Sequence, residues 1–357
     1  MTRSAELLWS KLAMAGIVVG DQPEQASLES PWYVKLLMAF FGWLAAVFLI
    51  GFIGAGLAFV IDSTPASLIA GAAMIVGAFF ILRSRKKEFF EHFALAISLA
   101  GQVLLLWSLN DNNAFGSTQF WVIAALLQML LALVIPDFVH RVFSAFSASV
   151  ALHLAFASQT MHFLIPGILL FGCVWLWLSE YRFPAHIQRI QAIGYGLVLA
   201  LIPFKGSLLF PYGNLFWYEF QGRSTISLPW WLGELVLSLA LVFLVWQLSI
   251  RYRELMSQKM LVAVSLATII LVALSFEVPG ISMAIAILLL GFAGSNPVLQ
   301  GLGIVSLLFN ASAYYYLLET TLLFKAWILL SLGLVLLVSR WLISRVFPEN
   351  KEKSHAG

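Results

Sequence analysis

Long apolar stretches separated by short polar breaks extend along almost the whole 357-residue chain. A helix needs about 20 apolar residues to cross a membrane, and hydrocarbon offers no partner to unpaired backbone groups. The pattern therefore predicts an all-α polytopic transmembrane bundle of about twelve helices, placed at Leu36–Ile61, Ala66–Leu82, Phe93–Leu109, Phe120–Ile135, Val142–Ala157, Met161–Leu178, Ile193–Phe210, Trp230–Ile250, Met260–Phe276, Ile281–Ala293, Val298–Tyr316 and Leu323–Val346. The shortest, Ile281–Ala293, is expected to cross by extending into Pro279 or Ser295 or by thinning the bilayer.

The polar flanks of this pattern set the domain boundaries. Residues 1–35 predict a cytoplasmic segment with a short interfacial helix, residues 36–346 a transmembrane domain, and residues 347–357 a cytoplasmic tail. A cleaved signal peptide fits the first residues poorly, because their apolar run is weak and acidic residues precede any plausible cleavage site.

The basic residues are concentrated on alternate breaks between the stretches. If the N-terminus is cytoplasmic, only Lys205, Arg223 and Lys325 of the 20 Lys and Arg residues fall toward the outer face. Cytoplasmic segments of membrane proteins carry an excess of Lys and Arg. The pattern therefore predicts that both termini are cytoplasmic.

Composition supports a lipid environment and excludes several function classes. The chain is 61% hydrophobic and only 10% charged, whereas a soluble domain is about 25% charged. The net charge of +3 comes from residues at helix ends, so nucleic acid is not an expected partner. The single cysteine, Cys173, excludes an internal disulfide framework. Nucleotide loops, metalloprotease motifs and nucleophile elbows are missing from the sequence, so no cofactor, metal or catalytic residue is predicted.

Two ionisable residues inside apolar stretches are the first functional candidates, because such residues are costly in lipid. Lys205 comes late in one stretch and Glu234 early in the next, so both are expected at a similar depth near the outer face. An ion pair between them would lower the cost of burying each charge. In the open alternative, Lys205 extends to the headgroups and Glu234 faces water, with Trp230 and Trp231 marking the interface.

Further polar residues are predicted at the same outer layer, where they would form a composite site with Lys205 and Glu234. They lie in the loop of residues 211–229 and around the last outer turn, and they are Arg223, Tyr314, Tyr315, Tyr316, Glu319, Thr321 and Lys325. His153 and His162 flank another outer turn and could bind a metal or relay protons. Without a nearby carboxylate they are a thin ligand set, so interfacial or hydrogen-bonded histidines fit better.

Two sequence motifs carry a resemblance to a known family. The first is Pro31-Trp-Tyr-Val-Lys35 leading into Phe41-Gly-Trp-Leu-Ala45, and the second is Tyr314-Tyr-Tyr-Leu-Leu-Glu-Thr-Thr-Leu-Leu-Phe-Lys325. With these motifs the chain resembles the polytopic bacterial family described as domain of unknown function 4401. The second motif is also similar to that of a related uncharacterised family.

The resemblance implies a multi-pass protein of the bacterial inner membrane. It also implies a partner, since members are often encoded beside a small membrane-anchored protein named for a GDYXXLXY motif. The family has no assigned reaction, so the resemblance supplies no catalytic residues. Ala326 stands where the motif would have serine, which argues against a role that needs a hydroxyl group at this position.

These observations predict a non-enzymatic membrane subunit or scaffold for a membrane-anchored or periplasmic protein partner at the outer face. The alternative is a secondary transporter or lipid-handling protein that uses Lys205 and Glu234 as a substrate or proton site. A third reading, an intramembrane enzyme, would need His153 or His162 for its activity. The substrate, the partner and the oligomeric state are not readable from the sequence.

Overall fold

The computed structural model describes residues 63–84, 88–109, 117–157, 162–207, 231–254 and 256–317, with scattered single positions elsewhere. The backbone alone is described at residues 84, 88, 89, 157, 162, 205–207, 277 and 314–317. The predicted first and last stretches and both termini therefore lie largely outside the described residues.

The described part of the chain is all-α, without a strand. Its helices are α1 (Thr64–Ser84), α2 (Glu88–Ser108), α3 (Thr118–Val134), α4 (Phe138–Ala157), α5 (Ile165–Ser179), α6 (Ile187–Ser207), α7 (Trp231–Arg251), α8 (Gln258–Glu277), α9 (Ile281–Ala293) and α10 (Pro297–Leu317). Short 3-10 turns at His162–Leu164, Glu180–Arg182 and Pro184–His186 lead into and out of α5 and into α6. Each helix overlaps one predicted apolar stretch, which confirms the helical reading for the described region.

Six of these helices are long and apolar enough to cross a membrane, judged by length and composition. The segments are Thr64–Arg83, Phe90–Ser108, Phe138–Phe156, Pro184–Phe204, Trp231–Arg251 and Gln258–Phe276. On α8, Val262, Leu266 and Ile269 are each more than half exposed, so this helix presents an apolar face to its surroundings. Such a continuous apolar surface suits lipid and not water.

Polar residues fix where several helices begin. At each of four helix starts a side-chain oxygen accepts a hydrogen bond from a first-turn backbone N–H, the arrangement that stabilises helix N-termini by about 1 kcal/mol. The capping residues are Ser117 for α3, Asp137 for α4, Ser257 for α8 and Asn296 for α10.

Helices α5, α6, α7 and α9 surround the largest apolar cluster of the described region. It includes Leu170, Leu201, Leu241 and Ile287, one from each helix, and none of these side chains has any exposed surface. The cluster extends along α5 from Ile165 to Trp177 and lies between the two ends of the bundle.

The two ends of the bundle are identified by the contacts along α5. A Cβ on Gly167, near the start of α5, would meet Val236 of α7, so the beginnings of α5 and α7 share one end. At the other end of α5, Trp177 packs edge-to-face on Tyr195, which also contacts Phe138 at the start of α4. We call these the Glu234 end and the His140 end, after the polar residue found at each.

Candidate functional site

Glu234 lies one turn into α7 and is buried, with only 2% of its surface exposed. The backbone N–H of Gly280 donates to its Oε2 at 3.5 Å. The carboxylate thus points into the bundle, toward the turn that joins α8 to α9. In the alternative to the Lys205 pair, Glu234 was expected to face water. The structure instead buries its side chain.

The turn that meets Glu234 is only three residues long, Val278 to Gly280. Gly280 adopts a left-handed conformation, with φ of 87°, and directly precedes α9. The first backbone N–H groups of a helix are unpaired and carry partial positive charge, which interacts favourably with an anion. A carboxylate from one helix therefore lies against the N-terminus of another.

Hydroxyl groups from three helices accompany Glu234 at this end. Ser238, one turn further along α7, shares a hydrogen bond of 2.8 Å with Ser275 of α8. Ser275 also donates to the carbonyl oxygen of Val272 at 2.8 Å. Ser282, two residues after Gly280, has no exposed surface, and its Oγ has no hydrogen-bond partner among the described residues. We call Glu234, Ser238, Ser275 and Gly280 the Glu234 site.

The register of α9 and α10 places further polar residues at this end. A Cβ on Gly291 would meet Gln300, and one on Gly303 would meet Leu288, so the two helices are antiparallel. Continued at the helical rise, this register sets the buried Asn310 level with the first turn of α9. The rest of α10 extends about two turns further, and it carries Tyr314, Tyr315 and Tyr316.

Most of the predicted outer site cannot be compared with this geometry. The backbone of Lys205 lies in the last turn of α6 and that of Tyr314, Tyr315 and Tyr316 in the last turns of α10, but their side chains lie outside the described residues. Arg223, Glu319, Thr321 and Lys325 lie outside them altogether. The ion pair between Lys205 and Glu234 stays a prediction.

A second group of buried polar residues, not singled out from the sequence, lies at the His140 end. His140 has no exposed surface, and its Nε2 lies 2.8 Å from the Oγ of Ser98 on α2. On the opposite side of the ring, Nδ1 lies 3.1 Å from the Oγ of Ser144, one turn along α4. Both ring nitrogens therefore face a hydroxyl group.

Two glutamines extend this group toward α3. The amide of Gln102 donates to Ser98 Oγ at 3.1 Å and lies 3.4 Å from His140 Nε2. Its Oε1 accepts a hydrogen bond of 2.8 Å from Gln128. Gln128 is 5% exposed, and its own Oε1 is buried without a hydrogen-bond partner in the described part of the chain. We call Ser98, Gln102, Gln128, His140 and Ser144 the histidine network.

Charged residues lie close to the histidine network at the same end. Asp137 accepts the backbone N–H of His140 at 2.7 Å, and Arg141 interacts electrostatically with both Asp137 and Arg189 of α6. Nearby, the buried carboxylate of Glu180 accepts a hydrogen bond of 2.6 Å from Gln191. The His140 end is thus the end at which α4 and α6 begin with ionisable residues.

Of the two histidines considered as a pair in the sequence, His153 packs inside the bundle. His153 is buried and its ring stacks on Phe204, with ring centroids 4.4 Å apart. The side chain of His162 lies outside the described residues. Within the described region, no group of three or more His, Cys, Asp or Glu residues could hold a metal ion.

Comparison with known proteins identifies a family but no individual relative. No curated protein and no solved structure matches the chain. The sequence profile of one family matches residues 31–346, which is most of the chain and includes both motifs on which the resemblance was based. The chain therefore belongs to the family described as Domain of unknown function (DUF4401).

Proposed function

We propose that the chain is a multi-pass protein of the bacterial inner membrane with twelve spans and both termini in the cytoplasm. The six long apolar helices and the family support a membrane protein. The distribution of Lys and Arg supports the orientation, since it places Arg83, Arg141, Arg189 and Arg251 all on the cytoplasmic face. In this orientation the His140 end is cytoplasmic and the Glu234 end is periplasmic.

We infer that the protein is a cation-coupled carrier in which Glu234 binds the coupling proton or metal cation. The single observation that carries this inference is the burial of Glu234 against the Val278–Gly280 turn. Ionisable residues that face the interior of a membrane bundle mark ion and substrate pathways. In many carriers the substrate and coupling ion bind at interrupted helices, where unwound backbone leaves carbonyl groups free for a cation. The Val278–Gly280 turn, between the end of α8 and the start of α9, is a break of this kind beside Glu234.

The surroundings of Glu234 supply the right kind of groups for a cation. A carboxylate and hydroxyl oxygens are hard ligands, suited to a proton or to a cation such as Na⁺. The hydroxyls of Ser238 and Ser275 meet at 2.8 Å, so oxygen atoms of two helices meet one helical turn along α7 from Glu234. A third buried hydroxyl, that of Ser282, follows the turn directly.

A second candidate is the membrane subunit or scaffold for a periplasmic partner. The apolar cluster around Leu201 and Leu241 favours it, because this cluster separates the two polar ends and leaves transport dependent on a rearrangement of the bundle. The partner would be a small membrane-anchored protein, captured at the outer face near Arg223, Glu319 and Lys325. A stoichiometric partner that co-purifies in mild detergent, and is lost on replacing Lys325 by Ala, would support this candidate.

The carrier proposal is tested by chemical labelling with dicyclohexylcarbodiimide, which modifies protonated carboxyl groups in apolar surroundings. Membranes that hold the full chain are labelled across a range of pH and Na⁺ concentration, and the modified residues are identified by peptide mass spectrometry. Glu180 is the matched control, because it is also a buried carboxylate but hydrogen-bonds to Gln191 at the opposite end.

We expect Glu234 to be labelled much faster than Glu180, and we expect its labelling to fall as pH or Na⁺ concentration rises. Competition by Na⁺ would identify a metal cation, and an effect of pH alone would identify a proton. Labelling of Glu234 no faster than that of Glu180 under every condition would contradict the proposal, because Glu234 would then be a structural acceptor for Gly280.

A further inference from the structure

The histidine network is not explained by the Glu234 site, because it lies beyond the apolar cluster at the other end of the bundle. It joins α2, α3 and α4 through side chains that are at most 5% exposed. Burying so many hydrogen-bonding groups in lipid is costly unless each is satisfied. Hydrogen bonds between helices stabilise membrane proteins by only about 0.6 kcal/mol on average, so helix packing alone is a weak reason for the network.

The imidazole ring of His140 has a hydroxyl group at each of its two nitrogens. The tautomer of a histidine is set by the hydrogen bonds at its two nitrogens, and a carbonyl or carboxylate at one nitrogen fixes the proton there. Here Ser98 faces Nε2 and Ser144 faces Nδ1, and a hydroxyl group can either donate or accept. Both neutral tautomers and the imidazolium can therefore be hydrogen-bonded on both sides without movement of any non-hydrogen atom.

The three protonation states differ only in the direction of two hydrogen bonds. In the Nδ1–H tautomer, Nδ1 donates to Ser144 and Ser98 donates to Nε2. In the Nε2–H tautomer both directions reverse. When a proton is added to either form, both nitrogens donate and both hydroxyls accept, and loss of either proton returns a neutral ring.

We propose that His140 is a reversible protonation site of this protein, held ready for both uptake and release of a proton by the hydroxyl groups of Ser98 and Ser144. This inference rests on the proposed carrier function, for which it names the proton as a coupled ion at the cytoplasmic end. Imidazole suits this role because either ring nitrogen can hold a proton and, in the charged ring, both do. Since His140 has no exposed surface, a proton can reach it only when the helices around it move apart.

Gln102 and Gln128 act as positioning residues for this site. The amide of Gln102 donates to Ser98 and so leaves the Ser98 hydrogen free to point at Nε2. Gln128 donates to Gln102 Oε1 and thereby fixes which way the Gln102 amide faces. The two glutamines therefore favour the neutral Nδ1–H form. Protonation of the ring then requires the Ser98 hydrogen to turn away from Nε2.

The charged groups near His140 are few. On its own segment they are Asp137, bound to the His140 backbone, and Arg141; on the neighbouring α6, Arg189 interacts electrostatically with Arg141. From α2 and α3, the groups that reach the ring or its partners are neutral, namely Ser98, Gln102 and Gln128. A change in the charge of His140 therefore acts electrostatically mainly on Asp137 and Arg141, at the cytoplasmic end of α4.

The test is nitrogen NMR of the full chain, labelled with isotope in its six histidines and reconstituted in lipid, from about pH 3 to 8, because burial disfavours a charged ring. Ring nitrogen signals distinguish the two tautomers and the imidazolium. Replacing His140 by Gln identifies its signals. His153, which is buried and stacked on Phe204, is the matched control and is identified by its own Gln variant.

We expect His140 to show both tautomers and to form imidazolium on acidification, while His153 keeps one form. Ser98→Ala should shift His140 toward Nδ1–H, because only the Gln102 amide donor then remains near Nε2. Ser144→Ala should shift it toward Nε2–H, because Nδ1 then lacks a hydrogen-bond acceptor. If His140→Gln does not fold, these opposite shifts identify the signals instead.

A single tautomer of His140 at every pH, unchanged in both serine variants, would overturn the inference. That result would leave the labelling of Glu234 unaffected, so the carrier proposal could stand without it. Conversely, a titrating His140 beside an unlabelled Glu234 would reject the carrier function of Glu234 and keep the protonation site.

Discussion

The backbone N–H of Gly280 donates to the carboxylate of Glu234 at 3.5 Å, although the two residues are 46 positions apart in the chain. This contact joins the first turn of α7 to the turn between α8 and α9. It gives the buried carboxylate a neutral partner of the right polarity, and it brings a helix N-terminus to an ionisable group. The functional proposal for this end of the bundle depends on that geometry.

Replacing Gly280 by alanine is expected to destabilise the protein. Its φ of 87° lies in the left-handed region, where a residue with a Cβ is disfavoured by about 1–2 kcal/mol. Gly280→Ala should therefore lower the midpoint of thermal unfolding in mild detergent. The control is Gly294→Ala at the other end of α9, where φ is −91° and a Cβ would make an ordinary contact of 3.4 Å with its nearest atom, Leu290 O. Equal losses in both variants would show that the conformation of Gly280 is not special.

The close packing of α9 on α10 predicts a sharp difference between two neighbouring glycines. A Cβ on Gly303 would lie 2.7 Å from the backbone of Leu288, whereas one on Gly301 would meet nothing within 4 Å. Gly303→Ala should destabilise the protein by about 1–3 kcal/mol, since backbone atoms must move apart. Gly301→Ala should leave stability unchanged or raise it by up to about 1 kcal/mol, because alanine favours the helix. Thermal unfolding of the two variants side by side tests this register, and indistinguishable midpoints would contradict it.

The predicted pair of Lys205 and Glu234 makes a testable claim about the buried carboxylate. Removing one partner of a buried ion pair leaves an uncompensated charge, which costs about 3–5 kcal/mol, whereas removing both often costs little. Lys205→Met or Glu234→Gln alone should then destabilise the protein more than the double variant does. Small, additive losses in a double-mutant cycle would instead indicate that Gly280 and the N-terminus of α9 are sufficient partners for Glu234.

The helices of the described region could be predicted from the sequence because apolar stretches and glycines define them directly. Ile281–Ala293 was predicted with its observed bounds, since Gly280 and Gly294 flank it. The start of α6 was predicted six residues too late, at Ile193 and not Ile187. Its first turns contain Gln188, Arg189 and Gln191, which an apolar pattern does not count, although they continue the helix.

The histidine network could not be predicted by a search for charges inside apolar stretches. Ser98, Gln102 and Gln128 are neutral, and single neutral polar residues in a membrane helix have no distinctive spacing between helices. His140 stands between Asp137 and Arg141, so it appeared to belong to a cytoplasmic break and not to a helix. Only the packing of α2, α3 and α4 brings these residues together. The repeat of polar residues four apart, Ser98 with Gln102 and His140 with Ser144, is the one signal in the sequence that could have indicated a shared face.

The central claim, that Glu234 binds a coupling cation, is tested most directly by charge movement in proteoliposomes adsorbed on a solid-supported membrane. This measurement detects cation binding without knowledge of the transported solute. A rapid step in pH or in Na⁺ concentration should produce a transient current with the native chain and with Glu180→Gln, and a much smaller current with Glu234→Gln, each measured at an equal amount of folded, reconstituted protein. A current of equal size in Glu234→Gln, or none in the native chain under either step, would contradict the account.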